Sequence, residues 1–380
     1  MRYRLLGASG LRVSELGLGT MTFTDDLSWG ATRQQSWKIF DAFAEAGGNL
    51  IDTSNSYGAS ESCLGDLVKA DRDRFVIATK YSGAPPGEHV NSSGSHRKSL
   101  LRSVAASTRR MRTDYIDLLW LNAWDFMTPA EEILRALDDL VRRGTVLYAG
   151  IANTPAWFVA SANTLAAARG WTPFTALQLR YNLLDRESER ELLPMASALD
   201  IGVTAWTPLA SGWLTGKYGT GTRGRSEPGR APGGTGRLDD PVASRFVRRD
   251  ERAVSIASEV AAVARELGCQ PAHVALNWLR RKGVIPLFGA RTEEQARENL
   301  ESLQFALPDE QALRLDTVSR ISLGYPHDFL ASGMVRQHTH GGWFARIDDH
   351  RGYSALLRAP TASGKGQPGL RTAPAEAEGA

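Results

Sequence analysis

The chain has 380 residues, of which 42% are hydrophobic and 23% charged, and its 45 basic and 42 acidic side chains leave a net charge of only +3. That balance is ordinary for a globular protein and excludes collagen-like, wholly disordered or strongly basic nucleic-acid-binding chains. The length exceeds one average domain, yet a single α/β barrel with insertions accommodates it without a second core.

Apolar extended words alternate with helical ones along the chain. The first strand is expected at Leu16 to Thr20, in "LGLGT". A helix then opens at Thr32-x-x-Gln35, carries Ile39, Phe40 and Phe43 on one face, and stops at Gly47-Gly48. The words "NLIDT", "FVIATK" and "YIDLLWLN" read as three more strands. Thr128-Pro129-x-Glu131 opens a helix with Ile133, Leu134, Leu137, Leu140 and Val141 at helical spacing. The strands "VLYAGIA", "TALQLRY", "GVTAW" and "VIPLFGA" follow, with further helix starts at Thr154-Pro155 and Thr292-x-x-Gln295. Eight strands alternating with helices predict a closed parallel barrel.

Two segments break the rhythm. Gly219 to Pro241 is rich in Gly, Arg and Pro and is expected to form a long loop after the seventh strand. The segment after Trp343 ends in "APTASGKGQPGLRTAPAEAEGA", which is too poor in apolar residues to order itself. The expected organisation is α/β: one (β/α)8 TIM barrel over residues 1–345 with an N-terminal hairpin, and a disordered tail over 346–380.

Two cysteines, Cys63 and Cys269, are too few for a disulfide framework and point to a reducing compartment. No secretory leader is evident, and no run approaches the roughly 18 apolar residues of a membrane span. A cytoplasmic protein is expected. Basic pairs such as Arg109-Arg110, Arg142-Arg143 and Arg280-Arg281 are scattered at predicted helix ends, so no nucleic-acid-binding stripe forms. No H-E-x-x-H, G-x-S-x-G or P-loop occurs, and His338-x-His340 reads as surface, so no metal site is expected.

Three apolar strands end in polar residues, Asp52, Lys80 and Asn122, and Tyr57 follows Asp52 closely. In a barrel the C-terminal strand ends carry the working residues. A lysine beside a phenol favours the phenolate, and a carboxylate holds and compensates the lysine. These are the elements of a tyrosine general acid. Taken singly, each residue has a plainer role as a helix cap, a surface lysine or a packed ring.

The set stands among the words "GLGTMTF", "GGNLIDTSNSYG", "SESCLG", "AGIANTP", "LQLRYNLLDR", "TAWTPLASGWLTGKY" and "IPLFGARTEEQARENL". Together they resemble the aldo-keto reductase family over about residues 1 to 335. Most members have His where this chain has Asn122. Asn there, with "TAWTPLASGWLTGKY", is similar to the subset that includes the voltage-gated potassium channel β subunits.

The resemblance implies that Tyr57 protonates a carbonyl oxygen as hydride arrives from NADPH, with Lys80 and Asp52 tuning it. Asn122 cannot relay a proton as an imidazole does, but its NH2 can donate a hydrogen bond to the substrate oxygen. For NADP(H), the resemblance implies that Asn153 and Gln178 hold the carboxamide and that the nicotinamide stacks on Trp206. Thr20, Met21, Asp52, Pro208, Leu209 and Gly212 belong to the same implied cofactor set. Arg291 takes the 2′-phosphate, Gln295 and Asn299 the adenine side, and Glu298 the adenine amino group. Ala152 replaces a usual Ser, and Gln295 stands where many members have Arg, which leaves Arg291 with most of the NADP preference. The string Gly219-x-Gly221-x-x-Gly224 is no dinucleotide fingerprint, because it neither directly follows a strand nor opens an amphipathic helix.

Three functions follow from these residues. The first is NADPH-dependent reduction of a small-molecule ketone or aldehyde, including bulky secondary-metabolite ketones or activated deoxysugars. The second, prompted by Asn122, is reduction of a conjugated carbon-carbon double bond. The third is an NADPH-binding regulatory subunit with slow turnover, as the channel β subunits suggest. No nucleic-acid or membrane partner is expected, and the resemblance is compatible with a homo-oligomer.

Overall fold

A parallel strand buried on both faces needs apolar residues at nearly every position, and the eight apolar runs all form strands. In the computed structural model, residues 1–25, 27, 29–83, 89–217, 247 and 249–349 are described. An antiparallel hairpin of β1 (Tyr3–Leu5) and β2 (Arg12–Ser14) comes first. The barrel strands are β3 (Gly17–Gly19), β4 (Leu50–Asp52), β5 (Val76–Tyr81), β6 (Ile116–Leu121), β7 (Val146–Ala152), β8 (Phe174–Arg180), β9 (Gly202–Trp206) and β10 (Ile285–Phe288). They close in sequence order, with β10 pairing in parallel to both β9 and β3. The expected single TIM barrel with an N-terminal hairpin is therefore the fold.

Strand alternation divides the side chains into two sets. Ile51, Ile77, Leu119 and Leu177 face the helices and join the larger core, whereas Leu50, Ala78, Leu118, Trp120, Ala176 and Leu287 fill the barrel interior. Leu6 and Val13 of the hairpin pack into this interior set, fully buried, and so plug the end at which the strands begin. The backbones meet closely there: a Cβ on Gly7, at φ +56°, would lie 2.6 Å from both Thr175 O and Gly202 N.

Ten helices between Arg33 and Val318 surround the barrel: α1 (Arg33–Glu45), α2 (Ser60–Leu67), α3 (Arg97–Met111), α4 (Ala130–Arg142), α5 (Ala156–Arg169), α6 (Leu192–Ala198), α7 (Glu251–Glu266), α8 (Pro271–Arg281), α9 (Glu293–Glu301) and α10 (Asp309–Val318), counted among the described residues. Thr32 and Thr292 cap α1 and α9 by accepting from the Gln35 and Gln295 amides, as their spacing predicts. The starts at Thr128 and Thr154 differ. There Pro129 and Pro155 take the cap positions, because the threonine hydroxyls donate instead to Asp125 Oδ2 and to Ala152 O. The basic pairs Arg109-Arg110 and Arg280-Arg281 sit in the last turns of α3 and α8, where the helix dipole favours cations.

Two short helices, α11 (His327–Leu330) and α12 (Gly333–His340), follow α10. The Gly219–Pro241 segment and its glycine string lie outside the described residues, as does the tail from residue 350. No described helix is long and apolar enough to cross a membrane.

Candidate active site

Asp52 ends β4 two residues after the inward Leu50, and Lys80 stands on β5 two residues after the inward Ala78. Both therefore point into the barrel at the end where the strands finish. Lys80 Nζ donates to Asp52 Oδ1 and to Thr53 O, the latter at 2.8 Å. The two side chains are 4% and 6% exposed, so the pair is desolvated, and removing either partner would strand a buried charge. Asp52 Oδ2 accepts from Gln178 Nε2 at 2.8 Å, which satisfies the second carboxylate oxygen.

Tyr57 sits half-buried in the turn after β4, which is set by Tyr57 N donating to Ser54 O and Ser60 N donating to Tyr57 O. Asn55 Nδ2 ties this turn to Gly83 O beyond β5 at 3.1 Å. Lys80 Nζ lies 5.0 Å from the centre of the Tyr57 ring. Burial alone would depress the Lys80 ammonium, but the Asp52 carboxylate and then the Tyr57 hydroxyl outweigh it and hold the pKa above the usual lysine value. Lys80 is thus a fixed cation between a carboxylate and a phenol.

A second chain of contacts crosses the strand ends. Asn122 follows β6 on the same inward register as Trp120, and its carbonyl accepts from Asn153 Nδ2 at 2.9 Å. Asn153 adopts φ +47°, a left-handed conformation that Asn tolerates, and its Oδ1 accepts from Trp206 Nε1 at 3.0 Å. The Trp206 indole thus reaches from β9 to the end of β7, across the end of β8. Among the described residues the Asn122 side-chain amide makes no hydrogen bond, which leaves its NH2 for a ligand oxygen.

The remaining candidates fall in two places. Thr20 Oγ1 donates to Asp52 O at 3.1 Å, and the next residues reach the opposite segment through Thr22 Oγ1 donating to Ala290 O at 2.8 Å. Met21 lies half-buried between them. After β9, Thr207, Ala210, Ser211 and Gly212 all have positive φ, three of them without being glycine, around a buried Pro208 and a half-buried Leu209. Such concentrated backbone strain is typical of ligand-holding turns. Arg291 precedes α9, and Gln295 Oε1 accepts from the Arg291 backbone N–H at 3.0 Å, so Gln295 braces this turn. The Glu298 side chain is exposed, while Asn299 is buried.

The residues fit a nicotinamide dinucleotide. Gln178 spends its NH2 on Asp52 and keeps its carbonyl for an amide donor, and Trp206 offers a half-buried aromatic face. A guanidinium suits a phosphate, and Arg291 brings one to the start of α9.

Thr53 and Arg180 escaped the sequence reading. Thr53 acts through its backbone carbonyl, which no side-chain pattern reveals. Arg180 is legible in retrospect: it continues the inward register of Ala176 and Gln178, and its guanidinium lies over the Trp206 ring at 5.9 Å. Beyond Asn122, Trp124 stacks on Phe158 at 4.0 Å and meets Phe126 and Trp157 at 4.5 and 5.5 Å. Phe126 and Trp157 are 68% and 61% exposed, so this cluster forms an apolar shelf between the loop after β6 and the first turn of α5.

The model of the aldo/keto reductase family matches residues 15–320. A probable aryl-alcohol dehydrogenase of Saccharomyces cerevisiae is 36% identical over 312 residues, covering 78% of this chain and 92% of that relative. The aldo-keto reductase ausK of Aspergillus calidoustus is 36% identical over 348 residues, covering 87% and 85%. The norsolorinic acid reductase of Aspergillus flavus is 33% identical over 345 residues, covering 86% and 84%.

Proposed function

The chain belongs to the aldo-keto reductase family of NAD(P)-dependent oxidoreductases, and we propose that it uses NADPH to reduce an aromatic ketone or aldehyde to the alcohol. The observation that carries this reading is the buried Lys80 ammonium shared between Asp52 and Tyr57. When bound, the cofactor supplies the hydride. Tyr57 gives its hydroxyl proton to the carbonyl oxygen, and Lys80 stabilises the phenolate left behind while Asp52 holds Lys80 in place. The Asn122 amide donates a hydrogen bond to the same oxygen and polarises it without relaying a proton.

Arg291 supports NADPH over NADH, since a guanidinium makes charge-assisted bonds to a 2′-phosphate that NADH lacks. The aryl preference rests on the exposed shelf of Phe126 and Trp157 and on the aryl-alcohol dehydrogenase relatives. Tyr57→Phe keeps the ring and removes only the proton donor. Its NADPH affinity should stay nearly constant while single-turnover hydride transfer to an aryl aldehyde falls roughly 10²- to 10⁴-fold. An unchanged rate would overturn the mechanism.

Asn122 favours a second reading, in which a conjugated double bond is reduced instead. A saturated ketone from an α,β-unsaturated ketone supports it, and the allylic alcohol alone rejects it. Tight NADPH binding without turnover on any carbonyl would favour a regulatory binding role.

A further inference from the structure

Arg180 has no part in the proton-transfer network, yet it stands beside the Trp206 indole at the same end of the barrel. Its backbone pairs with Trp206 across β8 and β9, and Cζ lies over the indole at 5.9 Å. The indole cannot swing away, because Nε1 is tied to Asn153 Oδ1. The guanidinium is held in turn by Asp185, at 3.4 Å, with the Arg180 side chain 38% and the Asp185 side chain 10% exposed. Asp185 is itself fixed by Asn182 Nδ2 at 3.1 Å. The guanidinium lies over one face of the half-buried indole, so a ligand ring that stacks on Trp206 takes the opposite face.

We propose that Arg180 is a positioning residue which, through Trp206, makes the site hold the reduced nicotinamide ring more tightly than the oxidised one. This rests on the cofactor reading above. The oxidised ring is a pyridinium and the reduced ring is neutral. An indole attracts a cation through its electron-rich face, and a guanidinium on the opposite face draws that density away. The Arg180 charge also repels the pyridinium directly, an effect that its 38% exposure screens in part. Both effects weaken binding of the oxidised form and leave the neutral form almost untouched. After hydride transfer, Arg180 therefore favours release of the spent cofactor.

The test is titration of protein fluorescence with NADP+ and with NADPH, independent of any substrate. Arg180→Met should tighten NADP+ by about threefold to tenfold, in keeping with the strength of a partly exposed cation–π contact, and leave NADPH nearly unchanged. Arg180→Lys, which keeps the charge, should retain the wild-type ratio of the two affinities. Asp185→Asn removes the counter-charge and should shift the ratio the other way, weakening NADP+ further; it decides the matter if Arg180→Met does not fold. Equal changes for both nucleotides, or a lysine variant that behaves like the methionine one, would overturn the proposal. A wild-type protein that binds neither nucleotide would overturn the cofactor reading as well, which separates the two failures.

Discussion

Asp125 fixes the loop that carries Trp124 past the candidate site. Its carboxylate accepts from Ser95 N, Thr128 N and Thr128 Oγ1, each at 2.8 Å, and from Met127 N at 3.0 Å. Burial would raise its pKa, but these hydrogen bonds outweigh it and bring the value down to about 2. A depressed carboxylate pKa contributes stability above its ordinary value of 3.8, and that contribution disappears as pH falls to about 2. Asp125→Ala should therefore lower stability at neutral pH by about 1–2 kcal/mol, and the gap to wild type in urea unfolding should narrow below about pH 4 and be smallest at about pH 2. A gap independent of pH would show that the carboxylate charge is not what holds the loop. At Arg291 the expected effect is on selectivity: Arg291→Ala should weaken NADPH binding at least about tenfold and NADH binding little, by fluorescence titration. Equal losses would remove Arg291 from the phosphate. Asp52, Lys80 and Asn122 were legible in the sequence because each ends an apolar strand. Asp125 was not, since it depends on Ser95 from a separate loop, and for Arg180 the strand register could be read but not its place over the Trp206 ring.

Among the elements, the strands were legible because each is buried on both faces and so reads as an unbroken apolar word. Helix starts were legible only where nothing competes for the capping hydroxyl, as at Thr32 and Thr292 but not at Thr128 and Thr154. The packing of β6 against β7 could not be read at all. Trp120 fills the barrel interior against Gly150, where an added Cβ would lie 2.4 Å from the indole. The Trp120 N–H is buried and has no hydrogen-bond partner among the described residues. Gly150→Ala should cost about 1–3 kcal/mol by overpacking. Adding Trp120→Phe should recover most of that loss, since the smaller ring makes room and removes an unpaired N–H. A double-mutant cycle showing simple additivity would mean the two positions do not share the clash.

For the whole molecule, the barrel separates stability from chemistry by end. Leu6 and Val13 close the end where strands begin, while Asp52, Lys80, Asn153 and Trp206 occupy the other. Leu6→Ala, at a fully buried position, should therefore cost about 2–5 kcal/mol of stability, read from urea unfolding, and leave NADPH affinity unchanged in the folded protein. A parallel loss of affinity would show that the two ends are coupled through the interior. The alternation of eight strands made this architecture legible. The hairpin's position as a plug was not, because it depends on Gly7 meeting Thr175 and Gly202 from distant parts of the chain.

Closure between β10 and β3 also governs how the protein is made. Until the ribosome has delivered residue 288, β3 has an unpaired edge facing the growing chain. At roughly 5–20 residues per second, the first strand waits on the order of tens of seconds for its last neighbour. An open apolar edge held that long invites pairing with another nascent chain. Yield during synthesis should thus depend on chaperone capacity more than the equilibrium stability of the finished barrel would suggest.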